Sequence, residues 1–217
     1  MKSVLISIQP KWCELIANGK KTVDVRKTKP KIETPFKCYI YCTNNKDMLW
    51  VLNKSERTYT DKPISIFNAK DVCGATKANG KVIGEFLCDS IMPYCRYEIV
   101  SGVSEVGFEE LTRATQLSRK ELYDYCGEKD IYCWHISDLV IYDTPKELSE
   151  FKKPCKLFKN GGCLQLTGLC DFQGMTYERY GKRGEHHRLL NAYACLNVLK
   201  RPPQSWCYVE EGKGGAG

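Results

Sequence analysis

No apolar run in this chain of 217 residues approaches the roughly 20 residues that a membrane-crossing helix needs. Its opening, Met1-Lys2-Ser3-Val4-Leu5, has neither an apolar signal core nor a small-residue cleavage site, so the expected location is cytoplasmic. Internal repeats are also lacking. What remains is the composition of an ordinary globular protein, 42% hydrophobic and 27% charged. That length closes one sizeable core, or one core with an appendage.

Cysteine is abundant, at thirteen residues. Without an export signal the expected state is reduced, with most thiols acting as small buried hydrophobes. Cys38, Cys42, Cys88 and Cys133 lie inside strand-like runs and fit that role. Cys155, Cys163, Cys170 and Cys195, with His186-His187 nearby, invite a zinc reading. The spacings in that segment argue against it, because structural zinc sites begin with a tight C-x2–4-C pair. The chain is therefore expected to use no metal and no other cofactor.

Positive charge is concentrated at one end. Residues 1–37 hold nine Lys/Arg against three acids, which places +6 of the net +7 there. A stripe of this kind attracts polyanions by releasing their counterions. A solvated lysine face is the alternative.

The same region carries the chain's organising pattern. Val4, Ile6 and Ile8 alternate as in a half-buried strand. Pro10 suits a first helical turn, and Trp12, Leu15 and Ile16 share one helical face. Gly19 suits the left-handed residue after the helix. Lys21, Val23 and Val25 then alternate with Thr22, Asp24 and Arg26. An ideal strand would point Lys21 and Asp24 to opposite faces.

Further on, Phe36 to Thr43 and Lys81 to Cys88 read as strands, with a type I′ turn at Asn79-Gly80. Residues 44–78 form an excursion between them, with a short helix or hairpin of its own. A helix is expected over Phe108 to Thr115. Another should open on the Ser118-x-x-Glu121 capping box, run to Cys126 and stop at Gly127. Ile131 to Tyr142 reads as one long strand, and Pro145 to Phe151 as a short helix. Residues 152–200 form a Cys-containing insertion, 201–211 a closing strand with Trp206 and Tyr208 on one face, and 212–217 a tail.

Gln9-Pro10, Trp12 and Gly19-x-Lys21-x-x-Asp24-x-Arg26 together resemble the signature of the ASCH domain, of the PUA-like superfamily. The whole chain, with its Pro202-Pro203-Gln204-Ser205-Trp206 ending, is similar to the larger ASCH proteins of phage and gut bacteria. The resemblance implies an α+β fold over residues 1–151: a mixed, mostly antiparallel, PUA-like β-barrel with a few short helices. It also implies a cleft floored by the motif that binds RNA or a nucleotide, with Gln9, Pro10, Lys11, Trp12, Gly19, Lys20, Lys21, Asp24, Arg26 and Lys27 as its residues. One branch of the family resembles an amidohydrolase of N4-acetylcytidine that works through a lysine, a threonine and a glutamate. Lys21 matches that lysine, and Asp24 stands where the branch has threonine. Lys21 and Asp24 are then the candidate catalytic pair.

On the residues alone, Lys21 is a base or nucleophile if desolvated, and otherwise a structural lysine. Arg26 suits a phosphate, or an ion pair with Asp24 on the same strand face. Trp12 reads as core before stacking platform, and His135 as a hydrogen-bonded structural residue. Nucleic-acid binding is the leading reading. Hydrolysis of a modified nucleoside is the alternative, and a host-interaction scaffold using residues 152–200 is a third.

Overall fold

The structure, a computed structural model, describes residues 3–52, 64–65, 74–96, 105–154, 175–180, 186–191 and 198–210. Its centre is β1 (Ser3–Ile8), which pairs in parallel with β3 (Phe36–Cys42) and antiparallel with β13 (Trp206–Val209). With a neighbour on each side, β1 is not half-buried as its alternation suggested. Val4, Ile6 and Ile8 enter one core, and Leu5 enters another on the opposite face of the sheet. Antiparallel β7 (Lys81–Cys88) and β10 (Ser137–Glu147) complete the order β10-β7-β3-β1-β13.

A second sheet, β2-β9-β8, comprises Val23–Arg26, Ile131–His135 and Ile91–Tyr94. It faces the first across a core that holds Ile6, Ile40, Phe86 and Trp134, with α1 (Pro10–Ala17) packed into the same core. Its far side is covered by α2 (Glu105–Thr115) and α3 (Arg119–Cys126), where Val25, Phe108, Leu111, Leu122 and Ile131 make a separate core. The fold is thus α+β and mostly antiparallel with a few short helices, as expected. Among the described residues, the expected barrel is realised as two facing sheets without one continuous ladder. No described helix is long and apolar enough to cross a membrane.

Several local expectations hold for their physical reasons. Ser118 and Glu121 form the capping box of α3, and Gly127 ends it at φ +57. Cys38, Cys42, Cys88 and Cys133 are buried. Trp206 donates from Nε1 to Thr28, and the Tyr208 hydroxyl accepts from the Lys31 N–H, so the closing strand holds down the lysine-rich connection after β2.

Others change. The strand expected over 131–142 breaks at Ile136, whose N–H bonds to Thr22 at the edge of the second sheet, and Ser137 begins the first. No helix forms at Pro145. It lies where the β10 ladder shifts register between Ile141 and Lys146, a place that needs no N–H from it, and only a 3₁₀ turn follows at Leu148–Glu150. At Asn79-Gly80 a turn forms but not type I′, because Gly80 takes φ +82 while Asn79 is not left-handed. Asn79 instead buries its amide, accepting from Leu49 N–H and donating to Asp47 C=O.

The 44–78 excursion contains a three-stranded sheet, β5-β4-β6, built from Ile64–Ser65, Trp50–Leu52 and Ala75–Lys77. Within 152–200, β11 (Met175–Tyr180) pairs antiparallel with β12 (His186–Asn191). Cys155, Cys163, Cys170, Cys195 and the 212–217 tail lie outside the described residues.

Candidate functional site

The end of α1 places Lys21. Gly19 takes φ +68, its N–H reaching Ile16 C=O while Lys20 N–H reaches Leu15 C=O. These two bonds are the Schellman pattern, which closes a helix on a left-handed residue. Lys21 N–H also bonds to Leu15 C=O, so Lys21 sits in this turn rather than on the strand, which begins at Val23. The strand alternation that separated Lys21 from Asp24 therefore does not apply. Both side chains line one cavity of about 570 Å³.

Lys21 is 3% exposed and its Nζ donates to Thr115 C=O at 2.7 Å, at the C-terminal end of α2. A helix C-terminus carries unpaired carbonyls and negative partial charge, so the contact favours the ammonium. Burial nevertheless pushes the amine below its ordinary value. Asp24 pulls it partly back up, and Arg26 adds to the lowering. Cys133, on the neighbouring strand, has its thiol pushed up to about 12, chiefly by burial.

Asp24 and Arg26 share the inward face of β2, with Val23 and Val25 packed on the other side against α2 and α3. Arg26 Nε donates to Asp24 Oδ2 at 2.6 Å. Its Nη1 bonds to the carbonyl and hydroxyl oxygens of Ser205, and Nη2 to Ser7 C=O. The guanidinium is committed to the fold and leaves no fork for a phosphate.

Trp12 is half-buried at the cavity edge and not wholly in the core, with Lys11 Nζ 4.3 Å and Lys21 Nζ 5.3 Å from its ring centroid. Gln9 is exposed and lines the cavity, and its carbonyl accepts from the N–H groups of Trp12 and Cys13 in α1. Pro10 is buried at the start of α1. Lys11, Gly19, Lys20 and Lys27 are exposed and stand outside the lining, Lys27 with its Nζ 5.2 Å from the Tyr125 ring.

Sequence reasoning missed one wall. Glu121, Asp124 and Tyr125 of α3 face the motif, and Gln204 and Ser205 come from the approach to β13. The capping box located α3, but no pattern in the chain says which surface the helix will meet. Burial pushes the Tyr125 phenol up. Hydrogen bonds from Ser118 hold the Glu121 carboxyl below its usual range.

Trp134 and His135 point opposite ways, as adjacent strand residues must. Trp134 is fully buried, edge-on to Phe36, while exposed His135 pairs through Nδ1 with Asp89 at 2.7 Å. Among the described residues no group of three or more His, Cys, Asp or Glu is arranged to hold a metal.

No family model matches the chain, and no curated protein matches it. Among solved structures it is similar to ASCH from Zymomonas mobilis, at 19% identity and a TM-score of 0.43, over 67% of this chain and 73% of that one. A mutant form of the same protein gives 18% identity and a TM-score of 0.43, over 68% of this chain and 77% of that one. Both of these are forms of one bacterial ASCH protein, matched across about two thirds of the length of this chain.

Proposed function

We propose that the cleft binds one nucleoside unit of a nucleic acid, RNA in the first instance. The base occupies the cavity and the backbone crosses the exposed ammoniums of Lys11, Lys20 and Lys27. The observation that carries this reading is a cavity of about 570 Å³ lined by buried Lys21 and Asp24 together with the rings of Trp12 and Tyr125. That size lies in the range of small-ligand pockets, and an aromatic wall beside a few placed polar groups suits a planar base. Titrating a labelled single-stranded RNA between 50 and 200 mM salt tests it. Each phosphate neutralised contributes a slope of about −0.7 in log K against log salt, so three lysines give about −2. Absent binding, or binding indifferent to salt, overturns the reading.

One observation favours a second reading. Burial lowers the Lys21 pKa, which raises the share of free amine able to take a proton from water attacking an amide. Hydrolysis of N4-acetylcytidine would release acetate and cytidine. Turnover lost in Lys21→Ala but kept in Lys146→Ala, a distant exposed position, establishes it, and no product after long incubation rejects it.

A further inference from the structure

The charge of the cleft runs against the charge of the chain. Its charged lining is Lys21 and Arg26 against Asp24, Glu121 and Asp124, one more carboxylate than cations, in a protein of net charge +7. The two cations are also the more occupied groups. Arg26 points its donors at Asp24, Ser205 and Ser7, and Lys21 gives one proton to Thr115.

The carboxylates are less engaged. Asp24 is 8% exposed in its side chain, yet among the described residues its one hydrogen bond is from Arg26 to Oδ2. Oδ1 accepts no hydrogen bond among the described residues, in a residue that lines the cavity. Asp124 has no ion pair among the described residues. Glu121 accepts from Ser118 through Oε2, and Lys11 stands 3.9 Å from Oε1 with both side chains open to solvent, where such a pair is worth little.

From this arrangement we infer that the cleft selects a base bearing an exocyclic amino group and turns phosphate away, with Asp24, Glu121 and Asp124 setting that preference. The inference rests on the nucleoside-binding reading and names the ligand class for the same site. An amino N–H placed at Asp24 Oδ1 gives that carboxylate oxygen a donor, and a charge-assisted bond of this kind is among the stronger ones. A carbonyl there sets acceptor against carboxylate, leaving both unpaired where desolvation makes that costly. Lys21 supplies a donor in the same cavity. The pair therefore matches an edge that carries an amino group next to a ring nitrogen or carbonyl, which a simple ammonium lacks. A phosphate inside would meet three carboxylates and only one cation not already held by the fold. It stays outside, toward Lys11, Lys20 and Lys27, and a nucleic acid must enter base first.

Calorimetric titration with matched pairs tests this: cytidine against uridine and adenosine against inosine, each pair exchanging an amino group for a carbonyl, with cytidine 5′-monophosphate and spermidine alongside. The amino member of each pair should bind about ten-fold tighter or more. Cytidine should also outbind its monophosphate. Asp124→Asn and Glu121→Gln, the latter still able to close the capping box, should narrow the gap between cytidine and its monophosphate by about three- to ten-fold. Equal affinity within both pairs, a monophosphate preference unmoved by the variants, or spermidine binding as tightly as cytidine each overturns the inference. If RNA binds with its salt slope while the pairs are not distinguished, this inference alone falls. If neither RNA nor any nucleoside binds, the nucleoside-binding reading falls with it.

Discussion

Arg26 and Asp24 stand two residues apart on one strand and bury opposite charges together, Nε to Oδ2 at 2.6 Å with each side chain 8% exposed. The remaining guanidinium donors reach Ser7, in β1, and Ser205, just before β13. One side chain therefore ties three separate stretches of chain at the floor of the cleft. Removing one partner strands the other, so Arg26→Leu should cost about 3–5 kcal/mol of stability. Asp24→Asn keeps an acceptor for Nε and should cost less, about 1–3 kcal/mol. Urea denaturation of both variants measures the order, and equal or reversed losses would show that the pair is not organised as described.

This pair was legible in the sequence because i and i+2 share a strand face whatever the rest of the chain does. The Schellman turn at Gly19 and the capping box at Ser118 were legible for the same reason, each being set by neighbours within one turn of helix. The position of Lys21 was not, because one residue decides whether it belongs to the turn or to β2. The break at Ile136 was not legible either: strand-favouring residues stand on both sides of it, and the change of sheet depends on partners more than 40 residues away, such as Leu87. The acidic wall of the cleft depends on how α3 docks against β2. That docking is a tertiary event which leaves no period in the chain.

Lys21 should leave a mark on the pH dependence of stability. Burial lowers its folded-state pKa below the unfolded value of about 10.4. Between the two values the unfolded chain holds more protons, and stability then rises with pH. Below the folded pKa the charged amine carries its full desolvation cost. That cost is relieved as pH climbs through the folded pKa toward the unfolded one. Buried Cys13, Cys38 and Cys133, with raised pKa values, act in the opposite direction at alkaline pH, so the whole-protein curve does not isolate the lysine. The difference between the native chain and Lys21→Met does. Measured from pH 7 to 10.5, it should move in favour of the native chain as pH rises, and a flat difference would place the amine in water.

Two glycines should respond very differently to alanine. At Gly19 a Cβ meets nothing within 4 Å, so Gly19→Ala pays only for a left-handed backbone, about 1–2 kcal/mol. At Gly84 a Cβ would lie 2.4 Å from Val140 C=O, on the strand paired with β7. Backbone cannot swing aside as a side chain can, so Gly84→Ala must push β10 off β7. It should cost about 3 kcal/mol or more, at or above the usual range for overpacking. Thermal melts of the two variants compare them directly, and a Gly84→Ala protein as stable as Gly19→Ala would mean that β10 is not seated as described.

Charge and stacking at the cleft can be separated by two variants. Lys11, Lys20 and Lys27 are exposed, so replacing all three with Gln should change stability little, each surface substitution lying within about 0.5 kcal/mol. If they carry the backbone of a bound RNA, the salt slope should shrink by about 2, at roughly 0.7 for each phosphate no longer neutralised. Trp12→Leu leaves those ammoniums in place and removes the ring at the cavity edge. It should weaken RNA binding by about 1–3 kcal/mol, the worth of one stacked base, with the slope unchanged. Anisotropy titrations at several salt concentrations read both quantities at once. Loss of slope in Trp12→Leu, or its survival in the triple lysine variant, would mean that the backbone and the base engage surfaces other than those assigned to them.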